Sequence, residues 1–234
     1  MVISPDLRAG LLAGGAPRMW EGVVRDTLPH ARKVVPPGSQ VLEVGYGNGL
    51  LSCFLAAELD CDIVGLDVLP AARDSAQAAA RRFGLEDRLD FRLCSPDATR
   101  KHSGQWDAVF VKTVFYSSHS LTDYAEWLDW VKRILRPGGA LISYETGRAS
   151  ALMQLYRRLR KREYTDRCLY TSAVERLYDE RFNITWRRHY GGFSQFAAPI
   201  PWVFEATRSL ENALARRTAD NCFIVATVAQ RLGE

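Results

Sequence analysis

The stretch Val41–Gly49, VLEVGYGNG, decides the fold. Val41, Leu42 and Val44 make a short apolar run bounded by turn residues, the pattern of a strand buried in a parallel sheet. Gly45, Gly47 and Gly49 then alternate, and a helix is expected to open at about Leu50. Bare backbone at such positions tolerates positive φ and the close approach of a ligand. The first amides of the following helix point, unpaired, at whatever occupies the turn. A dinucleotide loop reads G-x-G-x-x-G. Its third glycine would fall on Leu50, so a nicotinamide dehydrogenase fits this chain worst.

Working outward, strand and helix alternate. A helix is expected from Met19 to about Val34, ended by Pro36-Pro37-Gly38. After the glycine turn come an apolar helix Leu50–Leu59, a strand Asp62–Asp67, an alanine-rich helix Ala71–Phe83 stopped by Gly84, and a strand Leu89–Cys94. A fourth strand contains Ala108–Val111. An amphipathic helix Thr122–Leu135 carries Tyr124, Trp127, Leu128, Val131 and Leu135 at helical spacing. Pro137-Gly138-Gly139 turns the chain into a fifth strand, Ala140–Tyr144. Such alternation predicts a doubly wound, mostly parallel sheet with helices on both faces. Beyond Glu145 the rhythm changes. Helices are expected over Ala149–Glu163, Ser172–Glu180 and about Val203–Arg217, with strands at Phe182–Tyr190 and Cys222–Ala229. No linker separates a second domain. The chain reads as one domain over residues 1–234, with an N-terminal helical segment (1–35), a core (36–145) and a substrate-side region with the last two strands (146–234).

Glu43 stands two residues before the first glycine, so the loop is E-x-G-x-G-x-G. This resembles the first motif of the class I S-adenosylmethionine (SAM) methyltransferases. Three further features lie in order behind it. Asp67 closes the second strand eighteen residues after Gly49; Asp97 follows the third strand in CSPDAT; and LRPGGALISYE resembles the family's R-P-G-G turn and fifth strand. Trp106, Asp107 and Val109–Val111 match the start of its fourth strand. The resemblance spans about Pro36 to Glu145. It implies a seven-stranded sheet with one antiparallel strand near the C-terminus. It also implies a cofactor site for SAM, released as S-adenosyl-L-homocysteine. Glu43 would hold the amino group of the methionine moiety, and Gly45, Tyr46, Gly47 and Gly49 would lie against the cofactor. Asp67 and Val68 would meet the ribose, Asp97 and the Ala98 amide the adenine, and Lys112 would sit where the chain passes the cofactor. Tyr46 departs from the pattern, where a small residue or cysteine is commoner, and its ring is expected to cover the methionine end or narrow the pocket.

The acceptor region matches no subclass. Methyl transfer from a sulfonium is mostly positional, and a base is needed only where an acceptor proton must leave. His119, just beyond the fourth strand, is the first candidate base and His189 the second; Tyr116, Tyr144 and Glu145 are candidates to shape the acceptor pocket. Lys112-Thr113 stands where a magnesium-dependent catechol-type enzyme would carry acidic ligands, so no metal is expected. The motifs of amino-group and cytosine C5 DNA methyltransferases are absent.

Composition bounds the rest. The chain has 234 residues, 47% hydrophobic and 25% charged, which is ordinary for a globular domain. Cys53, Cys61, Cys94, Cys168 and Cys222 are odd in number and contain no C-x-x-C pair, which argues against a disulfide framework or zinc site and for a reducing, cytoplasmic setting. No apolar run reaches the ~18 residues that suggest a membrane span. Net charge is +4, yet Gly147–Gly192 holds eleven Lys/Arg against five Asp/Glu. That stretch leaves open an RNA or DNA methyltransferase gripping phosphates through Tyr156–Arg162, YRRLRKR. A SAM-binding regulatory protein without turnover is a further alternative. The favoured expectation is methylation of a small or medium-sized organic acceptor, at oxygen.

Overall fold

The computed structural model describes residues 17–101, 105–115, 120–147, 169–190, 201–215, 222 and 224–232. A first helix, α1 (Pro17–Val34), leads into β1 (Gln40–Val44), α2 (Leu50–Leu59), β2 (Asp62–Asp67) and α3 (Pro70–Phe83). Next come β3 (Leu89–Leu93), α4 (Pro96–Lys101), β4 (Trp106–Lys112), α5 (Leu121–Ile134) and β5 (Leu135–Thr146). The chain closes with α6 (Thr171–Asp179), β6 (Phe182–Tyr190), α7 (Pro201–Ala215) and β7 (Ile224–Arg231). The seven strands form one sheet in the order β3-β2-β1-β4-β5-β7-β6, and β7 runs antiparallel to both its neighbours. The expected sheet and its single reversed strand are therefore present.

Two apolar layers flank this sheet, because successive side chains of a strand point to opposite faces. On one face Val41, Ile63, Phe91, Phe110, Ile142 and Tyr144 pack beneath α1, α2 and α3. On the other, Leu42, Val44, Val109, Val111 and Leu141 pack beneath α5 and α6. The helix α2 is apolar around most of its circumference and is buried accordingly. Ser120 caps α5 by accepting from the Asp123 amide at 3.1 Å.

Boundaries differ from expectation where local hydrogen bonding overrides pattern. Ser95-Pro96-Asp97 opens the helix α4, because the Ser95 Oγ accepts from the Ala98 amide at 3.2 Å and the Ser95 carbonyl from the Thr99 amide at 2.8 Å. Strand β5 begins at Leu135 rather than Ala140. Leu135 pairs with Trp106 and Ala140 with Ala108, so the R-P-G-G residues bulge out between those two points. The last strand starts at Ile224 and runs on to Arg231. The helix expected over Ala149–Glu163 lies outside the described residues.

Asp107 explains why W-D and R-P-G-G occur together. Its Oδ2 accepts from the Gln40 amide at 2.8 Å and its Oδ1 from Arg136 at 2.6 Å, pinning the start of β1 to the turn that enters β5. Both contacts lie at the amino end of β1, far from the strand ends where ligands of open α/β sheets bind.

Candidate functional site

Strand order reverses at β1, with β2 on one side and β4 on the other. The crevice at the carboxyl ends of these strands is the expected ligand position for such a sheet. The glycine turn sits there, and its three glycines have different surroundings. A Cβ on Gly49 would meet Ala76 Cβ at 2.6 Å, so this glycine lets α2 start hard against α3. A Cβ on Gly45 would strike Val114 of the chain leaving β4. At Gly47, with φ +56°, there is nothing within 4 Å. The middle glycine is therefore the one that faces open space.

Asp67 holds this turn from the end of β2. Its Oδ2 accepts from the Gly47 amide at 2.8 Å and its Oδ1 from the Leu69 amide at 3.0 Å. Each carboxylate oxygen has a second lone pair and can accept again. Beside it Val68 and Leu69 are more than half exposed, and Leu93, its neighbour on β3, is also exposed. Three large apolar side chains thus line the lip of the crevice next to an acid. Val68 is the one of the three that the sequence motifs single out. Nothing in the strand pattern of Leu93 distinguishes it from a core residue. The Ala98 amide, expected to face the adenine, is engaged by Ser95 Oγ, so a ring edge would compete for it. The Asp97 side chain is outside what is described.

Glu43 is buried on the α2 face of β1 and accepts a hydrogen bond from Ser52 Oγ. Burial raises its pKa to about 7, against the opposing effects of the Ser52 hydrogen bond and the Lys112 charge. Lys112 ends β4 on the same face. Burial lowers its pKa and the Glu43 charge opposes that shift. Its ammonium lies 4.7 Å from the centre of the Trp20 ring, which α1 brings to this edge. Thr113 follows with φ +53°, a conformation β-branched residues rarely adopt, and its amide donates to the Tyr144 carbonyl at 2.8 Å.

The Tyr46 ring does not cover the methionine end. It turns beneath β2, packs on Phe91 with centroids 4.8 Å apart, and occupies the space a side chain on Gly65 would fill. Tyr144 is likewise turned away from its neighbour Glu145. It lies in the α1 layer against Trp20 and Phe110, fully buried, because residues adjacent in a strand face opposite ways.

Glu145 lines a pocket, partly open to solvent, on the α5–α6 face at the end of β5. Tyr124, Ser143, Val174, Tyr178 and Val225 share this wall. Tyr178 donates to Ser143 Oγ at 3.0 Å, and its hydroxyl stands 3.3 Å from that of Tyr124. Burial, and then the Glu145 charge, pushes the Tyr178 hydroxyl pKa upward, so it is a donor at neutral pH. Glu145 Oε1 accepts from the Phe115 amide at 3.2 Å, which ties the pocket to the chain just before Tyr116 and His119. Those two residues lie outside the described residues. His189, on β6, hydrogen-bonds Glu175, and Glu175 is part of the pocket wall. His30 stacks on Trp186.

Among the described residues, no group of three or more His, Cys, Asp or Glu is placed to hold a metal. No helix there is long and apolar enough to cross a membrane. The described part of the arginine-rich stretch is largely neutralised. Arg181 pairs with Asp129 at 2.8 Å, Arg187 with Asp179 at 2.7 Å and Arg188 with Asp26 at 2.9 Å. Charge that looked concentrated in sequence is spread over acids from α1, α5 and α6.

Residues 41–139 match a family model described as a methyltransferase domain. The ribosomal protein L11 methyltransferase of Symbiobacterium thermophilum is 30% identical over 111 residues, 47% of this chain and 33% of that protein. The ubiquinone biosynthesis O-methyltransferase of Xanthomonas oryzae pv. oryzae is 28% identical over 178 residues, 75% of this chain and 64% of that protein. The chain thus spans between about a third and two thirds of the length of these relatives. Among solved structures, geranyl diphosphate C-methyltransferase from Streptomyces coelicolor A3(2), in complex with Mg²⁺, geranyl-S-thiolodiphosphate and S-adenosyl-L-homocysteine, superposes with a TM-score of 0.64. It is 15% identical, with 93% of this chain and 78% of that one covered, and shares the fold.

Proposed function

We propose that this chain, whose residues 41–139 match a methyltransferase domain, is a class I SAM-dependent methyltransferase that transfers the methyl group of SAM to a small or medium-sized organic acceptor, at oxygen. The observation that carries the reading is the glycine turn pinned by Asp67, with open space at Gly47 and an acid, Glu43, behind it. SAM supplies a methyl group already activated by its sulfonium. The residues of the chain bind and orient. Glu43 is assigned to the amino group of the cofactor, Asp67 to the ribose hydroxyls, and Asp97 with the Ala98 amide to the adenine. Val68, Leu69 and Leu93 offer the apolar shelf that a planar base needs.

The acceptor is assigned to the pocket at Glu145. Its apolar wall suits a ring or chain, and the Tyr178 and Ser143 hydroxyls with the Glu145 carboxylate suit an acceptor hydroxyl. His119 is the first candidate to take the acceptor proton, and His189, oriented by Glu175, the second. The similarity to an O-methyltransferase favours oxygen. The pairing of Arg181, Arg187 and Arg188 with acids weighs against a nucleic-acid acceptor.

Calorimetric titration with S-adenosyl-L-homocysteine, with NADH alongside, tests the cofactor. Micromolar binding of the first alone is expected. No binding by folded protein would overturn the reading. Labelled SAM offered to phenolic, carboxylic and carbon acceptors then tests the acceptor. Binding of S-adenosyl-L-homocysteine without turnover on any of them, or retained methyl label on carbon alone, would refute O-methylation.

A further inference from the structure

Glu43 and Lys112 end up on the same face of adjacent strands, Glu43 buried and Lys112 at the carboxyl end of β4. Phe110 is the β4 partner of Glu43, and Lys112 lies two residues further along, so both side chains project to the α1–α2 side. They sense each other's charge. Yet the Glu43 carboxylate is engaged by Ser52, and among the described residues no hydrogen bond or ion pair engages the Lys112 ammonium. Instead that ammonium rests on the face of Trp20, whose ring attracts the cation and holds it in place. Trp20 is fixed in turn, edge-on against the buried Tyr144 at 6.3 Å.

An acid and a base held apart on one wall form a complementary pair for a zwitterion. An α-amino acid end presents an ammonium and a carboxylate on one carbon. Glu43 alone would answer only the first. We propose that Lys112, positioned by Trp20, binds the carboxylate of the cofactor's amino-acid end, so that α1 completes the cofactor site. The inference rests on the cofactor reading above and adds to it a carboxylate subsite that the family motifs do not specify. Burial disfavours both charges as the structure stands, and a ligand bringing the opposite charge to each would relieve that cost. The alternative source of a carboxylate is an acidic acceptor reaching the same ammonium.

The test compares two ligands that differ only in this group: S-adenosyl-L-homocysteine and its decarboxylated analogue, S-adenosyl-3-thiopropylamine. Each is titrated into the wild type, Lys112→Met, Trp20→Leu and Trp20→Phe. The wild type is expected to prefer the carboxylate-bearing ligand by at least ~10-fold, the scale of one charge-assisted hydrogen bond. Lys112→Met should abolish that preference while binding the decarboxylated ligand as the wild type does. Trp20→Leu should reduce the preference several-fold, and Trp20→Phe should restore most of it. Because each variant is judged by the ratio of two affinities, binding of either ligand also shows that the variant is folded. A preference unchanged in Lys112→Met overturns the inference alone and leaves an acidic acceptor as the partner of Lys112. A wild type that binds neither ligand overturns the cofactor reading and the inference with it.

Discussion

Gly47 and Gly49 belong to one motif, and the structure separates their work. Replacing Gly49 by Ala places a Cβ 2.6 Å from Ala76 Cβ and 2.7 Å from Ala76 Cα, with Phe91 Cζ at 3.1 Å. The Ala76 atoms are a helix backbone and its first side-chain carbon, which cannot swing aside. Helices α2 and α3 must therefore separate by the better part of an ångström. Overpacking of this kind costs about 1–3 kcal/mol, and the left-handed backbone at φ +72° adds about 1–2 kcal/mol for a residue with a Cβ. The sum, about 2–5 kcal/mol, is a large share of the ~5–15 kcal/mol that holds a domain folded. Replacing Gly47 by Ala incurs only the backbone part, since no atom lies within 4 Å of its Cβ. Thermal unfolding should thus show a Tm lowered by about 7–14 °C for Gly49→Ala, taking a central ~3.5 kcal/mol, and by about 3–6 °C for Gly47→Ala, taking ~1.5 kcal/mol. Titration with S-adenosyl-L-homocysteine below both transitions should show the reverse ranking. Affinity should fall at least ~10-fold for Gly47→Ala and stay within a few-fold for Gly49→Ala. Adding Ala76→Gly to Gly49→Ala should recover part of the clash, measured as a coupling energy against the two single variants. Equal losses of stability in the two glycine variants, or unaltered affinity in Gly47→Ala, would refute the division of labour.

Glu43 gives the protein a stability that depends on pH. Its pKa rises from 4.5 to about 7 on folding, so the folded state keeps a proton that the unfolded chain releases. Stability from this group is greatest below pH ~4.5 and is lost as pH rises toward 7, by about 3 kcal/mol in all. Urea unfolding at pH 5 and pH 8 should show Glu43→Gln gaining on the wild type by about that amount at the higher pH, and parallel profiles would contradict the burial argument. Asp67→Ala removes the acceptor of the Gly47 and Leu69 amides, and should weaken S-adenosyl-L-homocysteine binding by an order of magnitude or more, the equivalent of ~1.5–3 kcal/mol; unchanged affinity in folded protein would remove the ribose assignment. His119→Ala should slow turnover and leave S-adenosyl-L-homocysteine affinity as it is, whereas an unaffected rate would pass the role of base to His189 or to water.

Local sequence determines much of this protein, because strands, helices and tight turns depend on neighbours in the chain. The alternation from Gln40 to Tyr144, the glycine turn after β1, the acid ending β2 and the bounds of β6 were all legible from period and punctuation. So were the motifs that carry its resemblance to the methyltransferases. Contacts between residues distant in sequence were not. Whether the Tyr46 ring covers a ligand or packs under β2 depends on the cavity above Gly65, and that depends on where Phe91 lies. Tyr144 and Glu145 are neighbours whose sides are set by the register of β5 against β4 and β7. Arg181 and Arg188 look like part of a basic patch until the fold brings Asp129 and Asp26 to them. Lys112 gains its charged and aromatic surroundings only when β4 lies beside β1 and α1 crosses their ends with Trp20. A sequence specifies which groups are present and how each segment is built; only packing in three dimensions sets the dielectric, partner and orientation that give those groups their chemistry.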